Sequence, residues 1–416
     1  MNVRRSAAVL AATAVIGVAA TPVAQAADPS PSASPSVAIP SGLYGSTDPS
    51  FDGVWRQSLA LLAQDTVGVE PAAKAVEWLA GQQCANGAFA PFRADPAKPC
   101  DAKTPVDTNM TAAAVQALAA LGGHDAATGK AITWLKSAQN KDGGWGYTAG
   151  GPSDTNSTSL VIGALTAAGE QPKDVVKSGK SPYDALLELT VPCDEDGGGA
   201  FAYQPGKKGQ LAANADATAA GVLGALGKGM ATRAADQAPT GSSCADGDLT
   251  PPQAAAGGAA HLAQATEKDG HLKSALAGSE DQPDYGNTAD AVVALAAQGG
   301  AEQAAKPLKW LEKNGPAWAE QSGPSAYAQL IFAAHATGSD PYDFGGTDLV
   351  QRLGATGPAP QSAEKTADAA EKADSESDSD SASDDGVSVW WIIGVGLVAG
   401  IGIGFLISGR NKGQQP

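Results

Sequence analysis

A motif that returns along the chain constrains its fold more than any other feature, because self-similarity at a regular spacing marks stacked supersecondary units. Its best copy runs Trp134-Leu135, then Gln139, then Asp142-Gly143-Gly144-Trp145-Gly146-Tyr147. Trp78-Leu79, Gln83 and Asn86-Gly87-Ala88-Phe89 repeat it at the same offsets. Fainter copies are His261-Leu262 with Asp269-Gly270-His271-Leu272, and Asp196-Gly197-Gly198-Gly199-Ala200-Phe201. A degenerate last copy is Trp310-Leu311 with Gly315 and Trp318.

A second half follows each copy. Asn109, Asn156, Asn214, Asn287 and Ser325 each stand thirteen residues before a glycine: Gly122, Gly169, Gly227, Gly300 and Gly338. Mostly Ala, Val, Leu and Ile lie between. A short polar residue before an apolar run, with Gly just past its end, reads as a capped helix. Each unit therefore predicts an outer helix bearing the Trp-Leu pair, a Gly-rich turn and an inner helix. The inner helices are apolar nearly all round, so they must be buried on most sides. Five copies plus a helix at 54–64 make about six helix pairs.

The stretch Trp-Leu-x3-Gln-x2-Asp-Gly-Gly-Trp-Gly at 134–146 resembles the QW repeats of the terpenoid cyclase and protein prenyltransferase superfamily. The inner-helix starts at 106–112 (Val-Asp-Thr-Asn-Met-Thr-Ala) and 154–158 (Asp-Thr-Asn-Ser-Thr) are similar to those of that superfamily. They are also similar to those of its cobalamin-carrying relatives, the intrinsic factor and transcobalamin group. The resemblance spans residues 50–355 or so. It implies an all-α fold, a closed α/α toroid of two concentric helical rings with a central cavity.

The two ends of the chain set the expected compartment. Residues 1–26 have the three parts of a secretory signal: Arg4 and Arg5, an apolar core from Ala7 to Ala20, and Ala24-Gln25-Ala26 as the cleavage site. A Pro-, Ser- and Ala-rich linker is expected over 27–49, the toroid over 50–356, and an acidic linker over 357–386. That linker holds nine Asp/Glu against two Lys. Residues 387–408 then carry no charge for 22 residues, and roughly 20 apolar residues span a bilayer as helix. Trp390-Trp391 begin the run, and Arg410 and Lys412 follow it in the tail 409–416. Acid before the helix and base after it orient the domain outside and the C-terminus in the cytoplasm. Gly396, Gly400 and Gly404 give one smooth helix face, suited to packing on another membrane helix such as a transporter subunit. The expected localisation is thus a single-pass cell-membrane protein with an extracellular domain.

Cysteine usage agrees with export, since oxidising compartments favour pairing. The four cysteines allow three connectivities. Cys84–Cys100 and Cys193–Cys244 are preferred, because each then closes a loop within one part of the repeat; a zinc site is the alternative, although no Cys-x-x-Cys spacing exists.

The formal net charge of −17 speaks against a nucleic-acid partner, which needs clustered Lys and Arg. Fold does not decide chemistry, and the chemistry of the resembling families is missing from the toroid. There is no Asp-x-Asp-Asp acid motif, no Asp-Asp-x-x-Asp, no cysteine in a thioester context and no zinc-ligand spacing. No catalytic or metal residue is assigned, and an enzyme is the less favoured class. What remains is a rim of polar and aromatic side chains at the inner-helix starts. The candidate ligand-binding residues are Asp107, Asn109, Trp145, Tyr147, Asp154 and Asn156, followed around the ring by Tyr203, Asn214, Tyr285, Asn287 and Tyr327. Asp216 and Asp290 lie on the same circuit. Helix N-termini gathered on one rim also supply unpaired N–H groups.

The expected function is a tethered extracytoplasmic binding protein for a bulky small molecule, corrinoid-like by the resemblance, serving a membrane transporter and using no cofactor of its own. The alternatives are a cell-surface cyclase-, prenyltransferase- or lyase-like enzyme with an unrecognised acid, and an adhesion or scaffolding toroid.

Overall fold

The computed structural model describes residues 38–361 except 236–243, 246 and 277. The expected signal segment, the start of the first linker, nearly all of the acidic linker, the membrane helix at 387–408 and the tail lie outside the described residues. Among the described residues no helix is long and apolar enough to cross a membrane.

Six helices form an inner ring: α1 (Gly53–Thr66), α3 (Thr108–Leu121), α5 (Thr155–Ala167), α7 (Ala215–Ala225), α9 (Tyr285–Gly299) and α11 (Pro324–Thr337). Each packs on the next, and α11 packs back on α1, so the ring closes. Six outer helices cover it: α2 (Ala73–Gly81), α4 (Asp125–Ala138), α6 (Pro182–Leu187), α8 (Pro251–Glu267), α10 (Ala301–Ser322) and α12 (Leu349–Gly354). Each outer helix touches the inner helix before it in the chain. The all-α toroid of six helix pairs is therefore present, with one small ladder added. There β1 (Leu272–Lys273) runs antiparallel to β2 (Pro283–Asp284), with Leu272 opposite Asp284.

The inner helices are buried on nearly every face because they have neighbours on both sides and an outer helix behind. In α3 every residue from Met110 to Leu118 is buried, and four of these nine are alanines that let the helix axes approach. Gly122, Gly169, Gly227, Gly300 and Gly338 all take positive φ just past the inner helices, as the sequence predicts.

The repeated motif acts as a clip between units. Trp145 is fully buried, and its indole N–H donates to the Leu135 carbonyl at 2.7 Å. Gln139 donates to Gly143 O at 2.9 Å and to Val175 O at 3.0 Å, tying its own turn to the following connection. Gln83 does the same with Gly87 O and Ala127 O. Gly143 has φ 89° and lies against the Ser181 carbonyl, where any Cβ would collide.

Two expectations change. Asn109 and Asn156 are not caps: Asp107 and Asp154, two residues earlier, accept from the N–H groups of Met110 and Ser157. Asp284 likewise caps α9 in place of Asn287, while Asn214 does cap α7 and Ser325 caps nothing. The last copy has no Gly turn. α10 runs on through Gly315 and Pro316, because Gly315 leaves room for the Leu330 side chain of α11. The disulfides are as preferred from the sequence, Cys84–Cys100 and Cys193–Cys244, which leaves no thiol for zinc.

Candidate functional site

The first turns of neighbouring inner helices are stitched side by side. The N–H of Thr108 donates to Tyr147 O and that of Thr155 to Tyr203 O. Four threonines, each four residues past a cap, fasten each turn to its helix. Thr111, Thr158, Thr218 and Thr288 accept from the backbone N–H of Phe89, Trp145, Phe201 and Leu272, each at 3.0 Å. Sequence reading missed these threonines; their signal is the shared spacing from Asp107, Asp154, Asn214 and Asp284.

On this frame the rim can be followed from α3 to α11. Asp107 is buried, and loss of water pushes its carboxyl up to about 7, against the pull of the Met110 N–H. The Tyr147 hydroxyl lies beside it without closing a hydrogen bond of ordinary geometry, and burial with the Asp107 charge raises that phenol to about 12. Tyr203 interacts with Asp154 and is raised to about 12 for the same reasons. Burial also lifts Asp154 to about 6, although the Ser157 N–H and hydroxyl both bond to it. Asn156 then reaches across to α7, donating to Asp216 Oδ2 at 2.6 Å. Burial raises Asp216 too, and the charge of Asp284 adds to it.

Asp290 ends the circuit. It sits nearly two turns past the Asp284 cap of α9, and burial followed by the charges of Asp216 and Asp284 pushes it up to about 7. Its hydrogen-bond partner is Gln329 of α11, whose amide N–H donates at 3.2 Å and 3.3 Å. Gln329 was not foreseen, although it is a lone polar residue in an apolar stretch of α11. Among the described residues no cluster of His, Cys, Asp or Glu could hold a metal ion.

Four polar atoms of the rim are buried without a hydrogen-bond partner: Asp107 Oδ2, Thr108 Oγ1, Asn109 Oδ1 and Asn156 Oδ1. Asn109 and Asn156 occupy the same register, two residues past their caps. The structure thus brings Asp107, Asn109, Tyr147, Asp154, Asn156, Tyr203 and Asp216 into one arc. It does not gather the other candidate aromatics there. Trp145 is in the core, and Tyr327 is 5% exposed within α11. Tyr285 is spent against Trp310 at 4.9 Å and Trp318 at 5.5 Å. Asn214 and Asn287 are occupied at the caps of α7 and α9.

No family model and no curated protein matches the chain. Among solved structures it is similar to ent-copalyl diphosphate synthase from Streptomyces platensis. Identity is 16% and the TM-score 0.45, covering 69% of this chain and 50% of that one. It therefore spans about half the length of that synthase. It is also similar to a protein from Actinoplanes, at 16% identity and a TM-score of 0.30 over 66% of this chain and 98% of that one. A third likeness is to the type II terpene cyclase MstE from Scytonema in complex with geranylgeranyl dihydroxybenzoate. There identity is 14% and the TM-score 0.39, over 64% and 70% of the two chains. These likenesses are distant, and none of them shows a function for this chain.

Proposed function

We propose that the rim of the inner ring is a binding site for a bulky small molecule rich in N–H donors, held outside the membrane by the segment at 387–408. The observation that carries this reading is the set of unspent buried acceptors on α3 and α5, above all Asn109 Oδ1 and Asn156 Oδ1. A buried acceptor without a donor costs about 1–3 kcal/mol, and a ligand donor recovers it. Corrinoids, fringed with primary amides, are the class to test first, which keeps the transporter-serving role as part of the proposal. The recognition is by hydrogen bonds rather than by aromatic stacking, since Tyr147 and Tyr203 alone among the candidate rings remain near the arc. Titration of cyanocobalamin into the full-length protein in detergent, read by visible spectra and calorimetry, tests it. Asn109→Ala and Asn156→Ala should each weaken binding roughly tenfold; equal affinity in both variants contradicts the reading.

A second reading, the cyclase-like enzyme, is favoured by Asp290. This carboxyl caps nothing and is pushed up to about 7, so it holds a proton near neutrality and can deliver it. On an alkene the Asp290 O–H bond breaks and a C–H bond forms, leaving positive charge on the adjacent carbon. That cation then loses a proton to water, and the carboxylate regains one from solvent. Incubation with isoprenoid alkenes in heavy water separates the readings. Deuterium entering the product with wild type and not with Asp290→Asn supports catalysis, and its absence with both supports binding alone.

A further inference from the structure

We propose that the opposite end of the toroid carries a second site, which takes a small organic monoammonium ion against Asp65. A cavity of about 440 Å³ opens where the inner helices end. That lies within the range of about 300–1,000 Å³ usual for small-molecule sites. Its walls are mixed: Leu62 of α1, Ala119 and Ala120 of α3 and Ala167 of α5 give apolar surface beside the polar Thr66, Gln116 and Thr166. Its floor is the segment after α7, where Gly229 and Ala231 line the cavity.

That floor is built into the ring. The Met230 N–H donates to Gln116 Oε1 at 3.0 Å, while Gln116 Nε2 donates to Leu160 O at 3.2 Å. The Ala235 N–H reaches Ala296 O at 3.0 Å and Lys228 Nζ reaches Ala297 O at 3.1 Å. Gly163 faces the Gly229 backbone so closely that a Cβ there would meet it at 2.9 Å. The cavity is therefore a bounded space between the helix ends and a pinned strap.

Its chemistry selects a cation. The Asp65 carboxyl lines it with no hydrogen bond or ion pair among the described residues, and burial alone pushes its pKa up. The other hydroxyls are spent, Thr66 on Leu62 O and Thr166 on Gly227 O. Here α1, α3 and α5 present their C-terminal ends, where the helix dipole is negative. His335 also lines the cavity, and burial and then the nearby Arg233 push its pKa down, away from the charged form. The apolar part of the wall, Leu62 with Ala119, Ala120 and Ala167, suits a compact aryl or alkyl body. This cavity shares no lining residue with the rim.

The test titrates the full-length protein in detergent with 2-phenylethylamine, 2-phenylethanol and 3-phenylpropionate, using calorimetry and ligand-observed NMR. The amine should bind saturably, with the alcohol and the acid roughly tenfold weaker or worse. Asp65→Asn should lose the amine preference, and Ala120→Phe should block all three. Asn156→Ala and Asp290→Asn at the rim should leave amine affinity unchanged. Any one of four results overturns the proposal. These are no saturation by about 20 mM, an alcohol that binds as well as the amine, full affinity in Asp65→Asn, or loss of binding in the rim variants.

Discussion

Thr158→Val removes one oxygen from the core and changes little else. Thr158 is fully buried, and its Oγ accepts the Trp145 backbone N–H at 3.0 Å while pointing back toward Trp145 O at 3.3 Å. Valine keeps the branched shape and the χ1 restriction, so packing within α5 should persist. What it cannot keep is the acceptor. Leaving a buried N–H unsatisfied costs about 1–3 kcal/mol, less whatever is recovered by no longer burying a hydroxyl. The same bond is made by Thr111, Thr218 and Thr288 in the other units, so all four Thr→Val variants should lose about 1–3 kcal/mol. Thr133 is the control: it is exposed and bonds only to Gly129 O within α4. Its valine variant should stay within about 0.5 kcal/mol of wild type. Urea unfolding with both disulfides intact, followed by tryptophan fluorescence, reads these values from the midpoint at constant slope. If the four clip variants matched Thr133→Val, the clip would be incidental to the fold.

Removing Cys84–Cys100 or Cys193–Cys244, whose sequence separations are 16 and 51, should cost about 3 and about 4 kcal/mol by loop closure; denaturation of the paired Cys→Ala variants checks the order. Asp290 gives a pH signature. Its folded pKa of about 7 lies above the unfolded value near 3.8, so the unfolded chain releases its proton first. Stability should therefore fall as pH rises from about 4 to 7 and level off above, and Asp290→Asn should flatten that slope. Gly143→Ala should fail to fold or melt far lower, since positive φ and the Ser181 carbonyl both oppose a Cβ. Deleting 387–416 should release the toroid from membranes, and its persistence in the pellet would refute the single-anchor expectation.

How much was legible depends on whether a signal was local. The inner helices were readable because their apolar runs end at glycines that take positive φ, a constraint the residue type itself announces. The starts of α3 and α5 were displaced by two residues. Asp-Thr-Asn offers three capping types in a row, and only the backbone turn selects Asp107 and Asp154 over Asn109 and Asn156. In α10, Gly315 and Pro316 look like breakers, yet packing against Leu330 outweighs their local preference. The rim aromatics were located by sequence position, which could not tell that Tyr327 turns into the core and Tyr285 onto Trp310 and Trp318. The raised pKa of Asp290 comes from burial in the closed ring and then from the charge of Asp216 on a different helix, neither of which is local in sequence. The strap under the ring follows no periodic pattern, so the Asp65 cavity had no sequence signal.

The central claim is that ligand is held by the first turns of α3 and α5. Hydrogen exchange of the full-length protein with and without saturating cyanocobalamin tests it directly. The account predicts added protection over 108–111, 147 and 155–158, with residues 229–235 unchanged. Binding that protected the strap or an outer helix and left those first turns untouched would contradict it.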